Sequence, residues 1–143
     1  MASKASAVWT GSLKEGKGTI STATGVLSNA NYSFATRFEG AASGTTPEEL
    51  IAAAHASCFS MALGAQLGEA GLTPAKIETH AAVTLAKTDA GVAVTKIALT
   101  STASVPGATF DMAMMPTANE ATDRMQNWST SVITTLNIPP LTT

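Results

Sequence analysis

Cysteine and charge are both scarce in this chain of 143 residues, and each scarcity narrows what the protein can be. A single cysteine, Cys58, excludes an intramolecular disulfide, and the first residues, MASKASAVWTG, lack the apolar core of a secretory signal. Both observations favour a reducing, cytoplasmic location. Charged residues make up 13% of the sequence, 8 basic against 10 acidic, without runs of either sign. With no basic patch, neither nucleic acid nor an anionic membrane surface is expected as a partner.

Apolar residues are plentiful by comparison, at 45% of the chain. The length fits one domain over residues 1–143, and the composition predicts that a second copy covers part of its surface. The segment 50–67 is uncharged and approaches the length of a membrane span. It consists mostly of Ala, Ser, Gly, His and Gln, which gain too little from transfer into lipid to hold a helix there. We therefore expect a buried central helix and no membrane association.

The N-terminal third predicts antiparallel strands. The turn-forming segment KEGKG (14–18) separates two short strands, about Ala7–Leu13 and Thr19–Thr22. In NYSFATRFEG, aromatic residues alternate with small or polar ones with a period of two: Tyr32, Phe34 and Phe38. This period is typical of a strand with one buried face, on which Arg37 points away from the aromatic side.

The segment GTTPEELIAAAHASCFSMALGAQLGEAG predicts the long helix. Thr46 suits the N-cap, Pro47 the first helical position, and Glu49 is placed to close a capping box. The helix is expected to run to about Ala70, with Gly71 as a left-handed cap. Residues at three- and four-residue steps are expected to share one face: Ile51, Ala54, Cys58, Met61 and Ala65.

A β-hairpin is predicted next. Apolar and polar residues alternate from Ile77 to Leu85, KTDAG (87–91) forms a turn, and VAVTKIALTSTASV returns as the partner strand. The apolar phase slips between Val94 and Ile97, which indicates a β-bulge.

Taken together, these segments resemble the family of osmotically inducible protein C (OsmC) and organic hydroperoxide resistance protein (Ohr). The matching pieces, in order, are GTISTATGVL, FATRFEG, the long helix segment and KIALTSTASVPGATF, and the helix segment resembles the OsmC branch more closely. The resemblance implies an α+β OsmC-like fold in which antiparallel sheets pack on a long central helix. It also implies an intertwined homodimer with two active sites at the subunit interface.

The activity implied by the resemblance is thiol-dependent reduction of organic hydroperoxides, without a cofactor or metal and with an external thiol or dithiol as reductant. The peroxidatic cysteine of the family falls on Cys58, its arginine on Arg37 and its glutamate on Glu48. A thiol with an ordinary pKa of about 8.5 needs a neighbouring cation to be reactive, and Arg37 supplies one. Glu48 lies ten residues before Cys58, roughly 15 Å along a helix, so its expected role is to orient Arg37.

Each of these residues has a simpler interpretation when the sequence is considered alone. Cys58 suits an inert core position, Arg37 a surface strand and Glu48 a stabilising acid in the first helical turn. His55, one turn before Cys58, is expected to pack near the interface, although a histidine there is also able to accept the thiol proton. His80 is expected to face solvent. These dispersed histidines and one cysteine do not form a metal-binding motif.

The C-terminal segment 111–143 departs from the family and is atypical. The resolving cysteine of the family has no counterpart here, so the sequence predicts a one-cysteine cycle in which an external thiol rescues the oxidised Cys58. Thr117 and Glu120 predict a capping box, and one helical face follows: Ala121, Met125, Trp128 and Val132, with Pro139-Pro140 as a stop. A shifted reading frame would also account for the departure.

Two alternatives follow from this departure. The first is a stress-induced dimeric protein without catalysis, which binds an apolar ligand or scavenges oxidant stoichiometrically. The second is that the altered tail prevents stable folding.

Overall fold

The computed structural model describes residues 1–89, 91–106, 108 and 130–137, and the chain divides into two units, Met1–Leu50 and Ile51–Thr143. Each unit contains a three-stranded sheet, and a long helix begins in the first unit and continues into the second. The predicted α+β class, with antiparallel strands and one long helix, is confirmed. A single domain spanning 1–143 stays a prediction.

The first unit is built on an antiparallel sheet in the order β1-β2-β3. Its strands are β1 (Ala5–Thr10), β2 (Lys17–Thr22) and β3 (Ala30–Ser33). The predicted strands at 7–13 and 19–22 are therefore displaced at their ends. The first strand ends at Thr10 because Gly11 takes a positive φ of 94°, which leaves the extended region.

The chain turns into a short helix, α1 (Phe34–Phe38), where the sequence predicts a continuing strand. A capping box explains the difference: the Thr36 N–H donates to Ser33 Oγ at 3.1 Å, and the Ser33 N–H donates to Thr36 Oγ1 at 2.9 Å. The alternation of aromatic residues is thus not a strand pattern. Phe34 and Phe38 instead lie one turn apart, with ring centroids separated by 4.8 Å.

The long helix, α2 (Pro47–Glu69), begins and ends as predicted. Thr46 caps it, since the Glu49 N–H donates to Thr46 Oγ1 at 3.0 Å. The predicted capping box does not close, because the Glu49 carboxylate accepts a hydrogen bond from the Thr45 hydroxyl at 2.5 Å. At the other end Gly71 has a φ of 75°, as a left-handed cap requires.

The second sheet has the order β4-β5-β6. The strands β4 (Lys76–Thr88) and β5 (Gly91–Ser104) form the predicted antiparallel hairpin, and β6 (Thr130–Asn137) pairs with β5 in parallel. The predicted bulge is present, because Thr84 pairs with Lys96 while Leu85 pairs with Val94, which leaves Thr95 as the extra residue.

The core of the second unit lies between α2 and the hairpin. Its buried members are apolar residues of α2, of β5 and of the segments that follow these two elements: Phe59, Leu63, Leu67, Leu72, Leu99, Ala103, Val105 and Ala108. Three hydroxyl groups are hydrogen-bonded in a row between α2 and the hairpin. The oxygen of Ser60 lies 2.8 Å from that of Thr79, which lies 2.9 Å from that of the fully buried Ser101. These hydrogen bonds tie α2 to both strands of the hairpin.

The predicted common face of α2 is not the buried one. The buried residues are Phe59, Leu63, Gln66 and Leu67, whereas Cys58 is exposed and Met61 is 78% exposed. Small apolar residues of α2 lie on every face of the helix, so their spacing does not identify the buried face. The bulkiest side chains of α2 determine which face is buried. The prediction that the whole helix is buried is therefore wrong for the single chain. By length and composition alone α2 also suffices to cross a membrane, a test that a core helix passes as well.

The C-terminal segment contributes β6. Val132 lies in this strand, so its predicted place on a helical face is wrong. The run TSVITTLN is rich in β-branched residues, which favour strands over helices. The predicted capping box at Thr117 and Glu120 and the stop at Pro139-Pro140 lie outside the described residues.

Two positions on β5 test the assignment of the core. Leu99 is 1% exposed and Val92 is 57% exposed. We expect Leu99→Ala to lower the free energy of unfolding by about 2–5 kcal/mol, because it removes buried methyl groups and leaves a cavity. Val92→Ala, the control on the same strand, is expected to change it by about 0.5 kcal/mol or less. Urea denaturation measures both, and equal effects would contradict the assignment.

Candidate active site

Arg37 and Glu48, two of the three residues singled out from the sequence, form an ion pair in the first unit. The guanidinium donates from Nη2 to Glu48 Oε1 at 2.6 Å and from Nε to Oε1 at 3.0 Å and to Oε2 at 3.3 Å. Arg37 lies in the last turn of α1 and Glu48 in the first turn of α2. The pair expected from the sequence is therefore present, and its catalytic role stays a prediction.

This pair fixes an orientation more than it stabilises the fold. Glu48 is 12% exposed and Arg37 is 37% exposed, and pairs open to solvent typically contribute about 1 kcal/mol or less. The planar guanidinium makes several hydrogen bonds to one carboxylate, however, and this geometry restricts its rotation. Glu48 also carries a negative charge at a helix N-terminus, where it is favoured. The ion pair and the position in the first helical turn are both present, and the orienting role of Glu48 stays a prediction.

Part of the guanidinium remains available to a ligand. Among the residues that the structure describes, Glu48 is the only hydrogen-bond acceptor for Arg37, and it takes Nε and Nη2. The two N–H groups of Nη1 are left to donate to a bound oxygen atom.

Arg37 lies at the wall of an aromatic cavity of about 240 Å³. The other cavity residues that matter here are apolar or aromatic: Trp9, Leu13, Tyr32, Phe34, Phe38 and Pro47. The Arg37 guanidinium carbon lies 5.2 Å from the centre of the Phe38 ring. The prediction that Arg37 points away from the aromatic side is wrong, because α1 is helical and its spacing is not that of a strand.

The wall of this cavity was not identified from the sequence. Trp9 and Leu13 come from one segment and Pro47 from another, and neither segment alone shows a ligand motif. The relevant signal is the pairing of strands, which places Trp9 opposite Gly18 and Gly18 opposite Tyr32. A pattern within one strand does not carry this information.

Cys58, the third residue singled out, belongs to the second unit and is exposed on α2. Free cysteine is among the most buried residue types, so an exposed position in a helix without charged residues from Leu50 to Leu67 is unusual. The interpretation of Cys58 as a core residue is therefore wrong for the single chain, and its reactivity stays a prediction. A thiol at such a position is accessible to reagents and to a partner surface.

The histidines differ in their surroundings. Burial lowers the pKa of His55, so its ring is neutral at neutral pH. His80 is 76% exposed on β4, with its Nε2 3.4 Å from Glu78 Oε1, as a solvent-facing strand residue is expected to be. Within the described part of the chain, no group of three His, Cys, Asp or Glu residues is arranged to hold a metal ion.

Solved structures with the same architecture include those of OsmC and Ohr proteins. The organic hydroperoxide resistance protein OhrB of Bacillus subtilis matches with a TM-score of 0.64 and 23% identity, covering 94% of this chain and 98% of that one. An OsmC-like protein of unknown function from Vibrio cholerae matches with a TM-score of 0.68 and 18% identity, covering 95% and 100%. The predicted OsmC-like fold is confirmed.

Sequence similarity is more specific. The family model for OsmC-like protein matches residues 40–129. Peroxiredoxin OsmC of Escherichia coli strain K12 is 60% identical over 111 residues, which cover 76% of this chain and 77% of that protein. The chain belongs to the OsmC-like protein family. The identity with a peroxiredoxin also confirms the predicted enzyme class, a thiol-based peroxidase.

The cap of α1 positions Arg37 and can be tested by itself. We expect Ser33→Ala to lower the free energy of unfolding by about 1 kcal/mol, because the Thr36 N–H loses its acceptor at the helix start. Ser43→Ala, at an exposed serine of the same unit, is expected to have little effect. Thermal unfolding compares the two variants, and an unchanged stability for Ser33→Ala would argue against the cap.

Proposed function

We propose that this chain reduces organic hydroperoxides to alcohols in defence against oxidative and osmotic stress. Cys58 is the nucleophile, Arg37 binds the hydroperoxide and stabilises charge, and Glu48 positions Arg37. The observation that carries the proposal is an arginine that is held by a carboxylate at the wall of an aromatic cavity, with N–H groups still available. Such a site offers a donor for the oxygen atoms and an apolar surface for the organic group.

The chemistry balances without a metal or a cofactor. The Cys58 thiolate attacks the terminal oxygen of the hydroperoxide, an S–O bond forms, and the O–O bond breaks with its electron pair leaving on the alkoxide. The alkoxide takes a proton and becomes the alcohol, while Cys58 becomes a sulfenic acid. Arg37 acts where negative charge develops, which is where a fixed donor contributes most.

Recovery of the thiol needs a reductant from outside the chain, since Cys58 is its only cysteine. One external thiol attacks the sulfenic acid, releasing water and forming a mixed disulfide, and a second thiol releases Cys58 in its reduced form. A dithiol provides both groups in one molecule. The cycle proposed is therefore a one-cysteine cycle.

A homodimer completes the proposal. The outer face of α2, with Cys58, Ala54 and Met61, is exposed in the single chain and carries no charge. Exposed apolar surface of this kind favours association, and the resemblance to the family implies an intertwined dimer with the site at the interface. The cytoplasmic location expected from the sequence is part of the same proposal.

Consumption of cumene hydroperoxide tests the activity. Purified protein is supplied with a monothiol in one series and a dithiol in another, and Cys58→Ser is the control. We expect sustained turnover with at least one thiol and none with Cys58→Ser. Without thiol, mass spectrometry is expected to show Cys58 gaining two oxygen atoms, because its sulfenic acid is oxidised to the sulfinic form.

A single stoichiometric burst with either thiol would favour the other candidate, a non-catalytic scavenger or carrier of apolar ligands. The observation behind that candidate is the absence of a second cysteine in the chain. Elution as a monomer in size-exclusion chromatography would contradict the dimer.

Variants of the ion pair test the roles of Arg37 and Glu48. We expect Arg37→Met to lower kcat/KM by about 100-fold or more, the size typical for loss of a donor to developing negative charge. Arg37→Lys is expected to recover only part of the kcat/KM lost in Arg37→Met, because an ammonium group does not reproduce the guanidinium geometry. Glu48→Gln is expected to lose about 10-fold, since the positioning partner is weakened while the volume is kept.

Glu49→Gln provides a matched control for Glu48→Gln. Glu49 lies in the same helical turn, but its carboxylate accepts from the Thr45 hydroxyl and does not contact Arg37. The activity of Glu49→Gln is expected to stay within about 2-fold of the unmodified protein, since Glu49 does not hold Arg37. Equal losses in the two variants would mean that charge at the helix N-terminus, and not the pair with Arg37, is what matters.

A further inference from the structure

Two aromatic residues of the first sheet, Trp9 and Tyr32, meet although their strands are not neighbours. The strand between them places Gly18 opposite both residues. Gly18 is buried and has no side chain, so the two rings approach across it to 5.4 Å between centroids, with planes tilted by 45°. A Cβ atom at Gly18 would lie 2.3 Å from Tyr32 Cε1. Trp9 and Tyr32 thus form one surface, which we call the aromatic shelf.

Both rings of the aromatic shelf are held by their polar atoms. Trp9 Nε1 donates to the Gly11 carbonyl at 3.1 Å, and the Tyr32 hydroxyl donates to the Val8 carbonyl at 3.4 Å. Gly16 leaves room for the indole close to the main chain, since a Cβ atom there would lie 2.9 Å from Trp9 Cε2. The rings are only partly buried, so their orientation is set while their faces stay accessible.

The aromatic shelf and Arg37 line the same cavity. All four aromatic residues of the first unit, Trp9, Tyr32, Phe34 and Phe38, take part in its wall. Its volume of about 240 Å³ is below the range of about 300–1,000 Å³ of pockets that hold drug-sized ligands. The size and the lining fit a compact group with an aromatic ring better than a long alkyl chain.

We propose that the aromatic shelf determines substrate specificity by selecting hydroperoxides with a compact aryl group. This inference rests on the proposed function, because Arg37 must hold the peroxide oxygens for the organic group to lie along the cavity wall. Contacts between aromatic rings add to the free energy of simple apolar burial. Gly18 is a positioning residue, because its missing side chain lets the two rings meet.

Two tertiary hydroperoxides isolate this contact. Cumene hydroperoxide and tert-butyl hydroperoxide share the reacting group, and the first has a phenyl group where the second has a methyl group. The quantity measured is the ratio of their kcat/KM values. We expect Trp9→Leu to lower this ratio by about 3- to 10-fold, the effect of losing one aromatic contact. Trp9→Phe is expected to keep most of the preference for cumene hydroperoxide, because it retains an aromatic ring.

Two further variants separate the aromatic shelf from general effects on the sheet. Val8→Ala, at the neighbouring exposed position of β1, is expected to leave the ratio unchanged. Gly18→Ala is expected to lower the ratio although every aromatic residue is kept, because the new Cβ displaces the Tyr32 ring. If circular dichroism shows that Trp9→Leu does not fold, Tyr32→Leu is compared in its place.

A folded Trp9→Leu protein with an unchanged ratio would overturn the inference, as would equal losses for both substrates. Failure of the unmodified protein to turn over either hydroperoxide would be a failure of the proposed function. In that case, saturation-transfer NMR compares the alcohol products, 2-phenyl-2-propanol and 2-methyl-2-propanol. Contact of the phenyl group that disappears in Trp9→Leu supports the aromatic shelf, and contact that persists, or that is never observed, refutes it.

Discussion

The ion pair between Arg37 and Glu48 is the interaction on which the geometry around Arg37 depends. It joins the last turn of the short helix α1 to the first turn of the long helix α2. Its contribution to stability is small because both groups remain partly open to solvent. Its value is directional: the carboxylate binds two nitrogens of the guanidinium of an arginine that lines an aromatic cavity.

Local signals made part of this fold predictable. The cap at Thr46, the glycine at position 71 and the phase slip before Ile97 each act over a few residues, and all three appear in the structure. Competing local signals explain the main error. The alternating aromatics around Arg37 resemble a strand, but the reciprocal hydrogen bonds between Ser33 and Thr36 start a helix within the same segment. These two capping hydrogen bonds favour a helix more strongly than a short alternating pattern favours a strand.

The candidate site was predictable to a different extent. Helix geometry indicates that Glu48 does not contact Cys58, because the two residues are ten positions apart on α2. The pairing of Glu48 with Arg37 was expected from the family resemblance, and the structure contains it. The exposure of Cys58 was not predictable from the sequence, since α2 is rich in small apolar residues and the spacing of these residues favours no one face as buried. The aromatic wall around Arg37 was missed because it depends on the register of three strands. Residue roles came from family resemblance, and their geometry came from tertiary structure.

The parallel strand β6 shows what the C-terminal segment contributes to the second sheet. A strand joins a sheet through main-chain hydrogen bonds, which form with almost any side chain, and β6 pairs with β5 from Ile97 to Ser104 in this way. Without it, the second edge of β5 would offer unpaired N–H and C=O groups to other chains, a common route to aggregation. A C-terminal segment is thus able to protect this edge of the sheet with many different sequences, because the pairing requires a backbone and not particular side chains.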